Sequence, residues 1–311
     1  MQIQIEVQKH LSHDVVTEVK NIIRAATALD EMAPLSEHVL IHLNQGGDDF
    51  DEHFLAKDSA GQFIGYLHLD RTDEVSGPII EVVVHPDFRN NGVGTQLVNF
   101  AMQSVQDSRM RLWAHGELGS AYALAKKLGF TKSRELWQMR RSLYAELPKL
   151  ELPDQIQIRN FLPEHDASEF LNLNAIVFEQ HPEQGRLDEK DLKIRMNEVW
   201  FRSEGFFLAQ NQDQKLIGFN WTKIHGQDSG STNKHGHQKI GEIYVLGVKP
   251  GNRNSGLGKA LAIRGLEYLR EQGLGAAMLY VDRTNHAAIK LYESIGFAHW
   301  DTDVMFQKQI S

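Results

Sequence analysis

The chain has 311 residues, 41% hydrophobic and 24% charged, an ordinary globular composition with enough material for two domains of about 150 residues. Its formal charge of −8 argues against a nucleic-acid partner, because holding phosphates along a groove requires a basic face. The absence of cysteine excludes disulfides, thiolate metal sites and a cysteine nucleophile. No apolar run reaches membrane-spanning length and the N-terminus lacks a signal core, so a cytoplasmic protein is expected.

Residues 2–7 alternate apolar and polar and predict an opening strand. Val15, Val19, Ile22, Ile23 and Ala26 recur at helical spacing and predict a helix over 14–29, with a shorter one over 36–43. Residues 53–56 and 63–69 read as a hairpin around Ser59-Ala60-Gly61. A β-branched strand over 79–84 runs into His85-Pro86, then glycines, then an amphipathic helix over 92–105. A strand over 111–113 and a helix over 121–128 ending at Gly129 complete the first half.

Residues 144–154 carry two prolines, break the pattern and read as a linker. The order then restarts. Strand 156–159 leads to helices 164–178 and 188–197, strands 206–209 and 217–223, and a polar Gly/Ser/His-rich insertion over 226–238. Strand 242–248, helix 256–271, strand 278–281, helix 287–295 and strand 299–306 follow. The expectation is a mixed α+β (α/β) fold in two tandem domains, 1–143 and 155–311, joined by 144–154. Each would be a mixed sheet splayed at a central glycine turn and flanked by helices.

That turn is the strongest signal, because it occurs twice in matching surroundings. The first copy places Arg89, Gly92 and Gly94 in the order R-x-x-G-x-G; the second places Arg253, Gly256 and Gly258 likewise. Gly92 and Gly256 stand 164 residues apart, and the later Gly129-Phe130 and Gly296-Phe297 elements 167. At a helix start the first N–H groups lack intrahelical partners, and the macrodipole adds positive potential. Glycines there let a phosphate approach the backbone. The spacing is neither a Rossmann turn nor a Walker A loop.

These residues, with Asn285, Ala288, Leu291-Tyr292-Glu293 and Gly296-Phe297, closely resemble the GNAT acetyltransferase superfamily. The resemblance covers nearly the whole chain and is most specific in the second half. It implies acetyl-CoA as co-substrate, with the pyrophosphate on the R-x-x-G-x-G turn and the pantetheine arm along a splayed strand. By that resemblance the second-half contacts are Leu246, Gly247, Val248, Arg253, Asn254, Ser255, Gly256, Leu257, Gly258 and Lys259, then Asn285, His286, Ala287, Ala288, Ile289 and Lys290. The first-half contacts are Val82, Val83, Val84, Asn90, Asn91, Gly92, Val93, Gly94 and Thr95. No metal is implied.

A narrower similarity rests on Ala33-Pro34-Leu35-Ser36-Glu37, His181 to Arg186, Trp200-Phe201, Gly241 to Val245 and Leu279 to Asp282. It points to the branch of tandem acetyltransferases in mycothiol biosynthesis, which acetylate the cysteinyl amine of Cys-GlcN-inositol. Glu37, Glu183, Lys223, Glu242 and Tyr280 are carried over as substrate contacts; carboxylates suit a cationic amine, and polar side chains suit sugar hydroxyls. The polar insertion and the uncharged Asn90-Asn91 depart from the pattern.

The resemblance makes Tyr292 the acid that protonates the departing thiolate. Aligned from Gly-Phe, the first half has Leu118 for Asn285 and Ala125 for Tyr292. Catalysis is therefore assigned to the C-terminal domain, leaving the N-terminal one as a non-catalytic CoA-binding domain. A primary amine of pKa ~8 must lose a proton before attack, and Glu242 is positioned to accept it through a water. N–H groups near Leu246–Val248 would polarise the carbonyl. The alternatives are a tandem acetyltransferase for another small amine, an aminoglycoside or a polyamine, and a non-catalytic acyl-CoA sensor. A duplicate within one chain supplies the pairing that single-domain relatives obtain by dimerising, so a monomer is expected.

Other features read as structural. His235-Gly236-His237 lacks metal-ligand spacing and reads as a solvated loop; His115 and His181 are not read as metal ligands. Trp137, Trp200 and Trp221 read as core, and Lys126-Lys127 as a solvated helix face. Tyr122 sits a turn away from the position of the acid.

Overall fold

The computed structural model describes the chain except residues 1, 48, 74–75, 106–108, 154, 180–186, 227–238 and 311. Two compact units are present, one made of residues 1–136 and 301–311 and the other of 137–300. Residues 144–154, expected as the linker, fall inside the second unit, and the chain's last strand belongs to the first.

In the first unit the strands run in the order β1 (Gln4–Gln8), β2 (Asp51–Lys57), β3 (Phe63–Asp70), β4 (Ile79–Val84), β5 (Arg109–Ala114) and β12 (Ala298–Gln309). All neighbours are antiparallel except β4 and β5. Alternation along each strand sends successive side chains to opposite faces. On one face Leu55, Tyr66 and Val83 meet α1 (His13–Asp30) and α2 (Glu37–Gln45) through Val19, Ile22, Ala26 and Val39. On the other, Phe54, Leu67 and Ile80 meet α3 (Val93–Ser104) and α4 (Gly119–Lys127) through Val93, Leu97, Ala101 and Ala125. Ser12 and Ser36 cap α1 and α2, each hydroxyl accepting from the backbone three residues on.

The second unit orders its strands β6 (Thr131–Ser142), β11 (Ala276–Asp282), β10 (Ile240–Val248), β9 (Leu216–His225), β8 (Phe206–Gln210) and β7 (Gln157–Asn160). β10 and β11 run parallel, while the β10–β9, β9–β8 and β8–β7 pairs are antiparallel. An aromatic core of Phe161, Phe170, Phe206, Phe219, Trp221 and Trp200 lies under α5 (Pro163–Val177) and α6 (Glu189–Met196). An aliphatic core of Leu257, Leu261, Ile243, Leu279 and Ile289 lies under α7 (Leu257–Glu271) and α8 (His286–Ser294). Trp200 and Trp221 are core, as read from the sequence. β6 was not foreseen: it is rich in charge, and only Gln138, Met139 and Arg141 in it are buried.

Candidate active site

β10 and β11 pair only at Gly241↔Ala277, Glu242↔Met278 and Ile243↔Leu279. Beyond Ile243 the two strands part, while β10 stays paired to β9 as far as Val248, with a bulge between Ile243 and Val245. The register shift re-aims the strand. It leaves the β11-facing backbone of Leu246, Gly247 and Val248 outside the ladder, where amides can bind an extended arm.

The strand then passes through a 3-10 turn, Pro250–Asn252, into α7. Gly256 is the N-cap of α7 at φ 87°, and a Cβ there would meet nothing within 4 Å. Its glycine is required by backbone conformation, with open space in front. At Gly258 a Cβ would stand 3.2 Å from Leu291, so that glycine lets α7 approach α8. Arg253, Asn254, Ser255 and Lys259 are exposed around this corner, which has the bare amides, positive helix end and cations a diphosphate needs. The residues therefore fit acetyl-CoA.

Asn285 caps α8, its side-chain oxygen accepting from the Ala288 N–H at 3.2 Å. His286, Ala287 and Lys290 are exposed, whereas Ile289 is directed into the core. Tyr292, on the buried side of α8, packs against Phe297, and burial pushes its hydroxyl up to about 12. A phenol with that value stays protonated at neutral pH and is available as an acid.

Glu242 is 6% exposed and is met by two basic residues of β9. Lys223 stands directly opposite it in the ladder. His225 brings Nε2 to within 2.6 Å of the Glu242 Oε2. Burial alone would raise this carboxyl; the bond from His225 and the charges of His225 and Lys223 hold it below its ordinary value. Lys223 is buried, not the exposed strand lysine its position suggests, with Nζ 4.6 Å from the Trp200 ring and 5.4 Å from Tyr244. Tyr280, 39% exposed on β11, accepts at its hydroxyl from Gln138 Nε2 at 2.8 Å. Glu37 opens α2 in the first unit. Glu183 and His181 lie outside the described residues, as does the His235-Gly236-His237 stretch.

His225 was missed in the sequence. It lies 17 residues from Glu242, across an insertion that hides their pairing. The strand read from the sequence stops at residue 223, whereas β9 runs on to His225 and pairs antiparallel with the strand that bears Glu242.

The first unit repeats the architecture. β4 and β5 pair only as far as Glu81↔Trp113, leaving Val82, Val83 and Val84 beyond the split, and Gly92 caps α3 at φ 82°. A cavity of about 590 Å³ is lined by Val82 to Val84, Asn90, Gly92 to Thr95, and Leu124. Asn91 donates its side-chain amide to the Arg89 carbonyl at 3.1 Å. Ala125, which aligns with Tyr292 when the halves are matched at Gly-Phe, is fully buried, and Leu118 caps α4 with no side-chain bond. At the split, His115 places both ring nitrogens 3.0 Å from a carboxylate, Glu81 on one side and Asp303 on the other. Elsewhere in this unit Asp51 accepts from His42 at 2.5 Å and His68 at 3.1 Å, one bond to each oxygen, so that cluster is closed by its own hydrogen bonds.

Comparison with known proteins agrees with both halves. Residues 170–297 match the acetyltransferase (GNAT) family and residues 49–132 the acetyltransferase (GNAT) domain. The chain belongs to the GNAT acetyltransferase family. This N-acetyltransferase is 48% identical to the mycothiol acetyltransferase of Acidothermus cellulolyticus over 98% of its own length and 95% of that protein's. It is 42% identical to that of Streptosporangium roseum over 99% and 100%. Among solved structures it resembles a GCN5-related N-acetyltransferase from Sphaerobacter thermophilus, with TM-score 0.71, 22% identity and coverage of 98% and 96%. It also resembles a tandem GNAT protein from the clavulanic acid biosynthesis pathway, with TM-score 0.73, 16% identity and 99% of each chain. Among the described residues no helix is long and apolar enough to cross a membrane.

Proposed function

We propose that the second unit transfers the acetyl group of acetyl-CoA to the cysteinyl amine of Cys-GlcN-inositol, yielding mycothiol. The observation that carries this reading is the parting of β10 from β11 directly after Glu242, between the glycine corner of α7 and the helix that bears Tyr292. The corner holds the diphosphate, and the free edge at Leu246–Val248 orients the thioester and polarises its carbonyl. The carboxylate of Glu242, with His225, forms the basic side on which the amine loses its proton. Tyr292 gives its proton to the departing sulfur. Lys223, Tyr280 and Glu183 are the polar groups assigned to the sugar, inositol and cysteinyl moieties.

The first unit, on this reading, binds a second acyl-CoA without turning it over. Its cavity follows the split strand and the glycine turn, and an alanine replaces the acid. The chain works in the cytoplasm as a monomer.

Purified protein, acetyl-CoA and Cys-GlcN-inositol test the proposal by the rate of CoA release. Rapid release with that amine and little with kanamycin or spermidine is expected. Faster release with either of those amines assigns another substrate, and tight acetyl-CoA binding without turnover on any amine leaves an acyl-CoA sensor.

A further inference from the structure

We infer that the proton of the incoming amine is taken by the imidazole of His225, with Glu242 as the carboxylate that orients the ring. The inference rests on the amine-acetylation reading above and reverses the assignment of Glu242 as the base. His225 is the last residue of β9 and pairs with Ile240, two residues before Glu242 on β10. Its ring reaches diagonally across the ladder to put Nε2 2.6 Å from Oε2.

A carboxylate accepts hydrogen bonds and cannot donate them. Nε2 must therefore carry the hydrogen, so that whenever the ring is uncharged its lone pair sits on Nδ1. That is the tautomer a general base needs, fixed by a carboxylate behind it, as in hydrolytic triads. Glu242 is poorly suited to the same task. One oxygen is already occupied, the Lys223 ammonium lies across the ladder, and the carboxyl is held below its ordinary value, away from the near-neutral value that makes a base efficient. Access differs as well. The side chain of His225 is 33% exposed and that of Glu242 8%, so the imidazole can pass a proton to water after each turnover. Among the described residues, the charged groups recorded at this pair are Glu242 on β10 and Lys223 on β9, and Lys239 lies against Gly226, the residue after His225. Leu269 of α7, which packs on Gly241, adds no charge.

The protons balance. The substrate ammonium gives one proton to Nδ1, directly or through a water, and its nitrogen lone pair forms the bond to the thioester carbon. The C–S bond breaks with its electron pair on sulfur, which takes the Tyr292 hydroxyl proton. The second N–H proton restores Tyr292, and the imidazolium releases the first to solvent. Each turnover thus yields the amide, free CoA and one proton.

The test measures kcat and kcat/KM against pH, from about pH 5 to 9, for the full chain and for His225→Gln, Glu242→Gln and His225→Ala. Acetyl-CoA affinity is measured alongside to show that the variants are folded. His225→Gln, whose amide can still donate to Glu242, is expected to lower kcat by about 10²–10⁴-fold and to abolish the acidic limb, with acetyl-CoA affinity unchanged. Added imidazole is expected to restore part of the His225→Ala rate. Overturning results are a His225→Gln rate within a few-fold of the parent with its acidic limb intact, or no imidazole rescue while Glu242→Gln alone is inactive. If the unmodified chain releases no CoA with the amine, the amine-acetylation reading itself fails, a result separable from any variant's behaviour.

Discussion

Asp30 holds Arg89 by both carboxylate oxygens, at 2.7 and 2.6 Å. The corresponding Arg253 of the second turn is exposed and makes a 3.4 Å contact with the Val177 carbonyl. One guanidinium is neutralised before any ligand arrives and the other is not. A diphosphate should therefore be drawn more strongly to the second corner, since the attraction depends on net local charge. Asp30→Asn is expected to tighten CoA binding in the first unit several-fold and steepen its salt dependence, leaving turnover unaltered. Two-site titration calorimetry checks this; an unchanged weaker site would show that the ion pair does not mute the turn.

Tyr292→Phe removes the hydroxyl from a buried helix face without changing the ring that packs on Phe297. Turnover is expected to fall by about 10²–10⁴-fold, the usual contribution of a positioned acid, with the dissociation constant of acetyl-CoA unaltered. Because burial places this hydroxyl at about 12, it does not ionise near neutrality. Any alkaline limb of the pH–rate profile below pH 10 should then survive in a variant with residual activity. Retention of the full rate in Tyr292→Phe would remove the residue from the chemistry.

His115 bonds a carboxylate through each ring nitrogen, so both nitrogens carry hydrogen and the ring is a cation. Burial works against that charge, but Glu81 and Asp303 outweigh it and hold the imidazole at about 10, against 6.5 for a free ring. The stabilisation is fully present below pH 6.5 and is lost as pH rises through about 10. His115→Gln is expected to cost about 3 kcal/mol or more, as removal of one member of a buried ion network does. It should also flatten the decline of the urea midpoint on the alkaline side. An unchanged midpoint would contradict the ion network.

His53 behaves in the opposite sense. Burial, followed by repulsion from the neighbouring His68, depresses it to about 4 from 6.5, and its Nδ1 lies 2.8 Å from the Tyr66 hydroxyl. Below pH 6.5 the unfolded chain binds a proton that the folded one refuses. Stability should therefore fall as pH drops from 6.5 towards 4, with a limiting slope of about 1.4 kcal/mol per pH unit. His53→Asn should flatten that slope in urea titrations at stepped pH; an equally steep fall would assign it to other groups.

Both glycine turns were legible because their demand is local: a left-handed residue before a helix requires glycine, and the flanking β-branched run and helical period are contiguous with it. The carboxylate on the strand ahead of the turn and the tyrosine on the last helix were proposed by resemblance alone, from their distances to the turn and to Gly-Phe. The bond from His225 was not, because strand register across an insertion decides it. The extent of β6 was hidden because its segment Thr131-Lys132-Ser133-Arg134-Glu135 is polar and its apolar alternation incomplete. The split of the chain was misread for a related reason. Two prolines marked residues 144–154 as a boundary, but the path of β12 is fixed by pairing of Val304 to Gln309 with Ala114 to Arg109, which leaves no local trace.

Val304 and Phe306 fill the core beneath α3 and α4. During synthesis the N-terminal half would leave the ribosome with one edge of its sheet bare and that core incomplete, and would wait for some 170 further residues before the missing strand arrived. Shortening the polypeptide by its last ten residues should accordingly damage the half made first, with proteolysis beginning near the front of the chain.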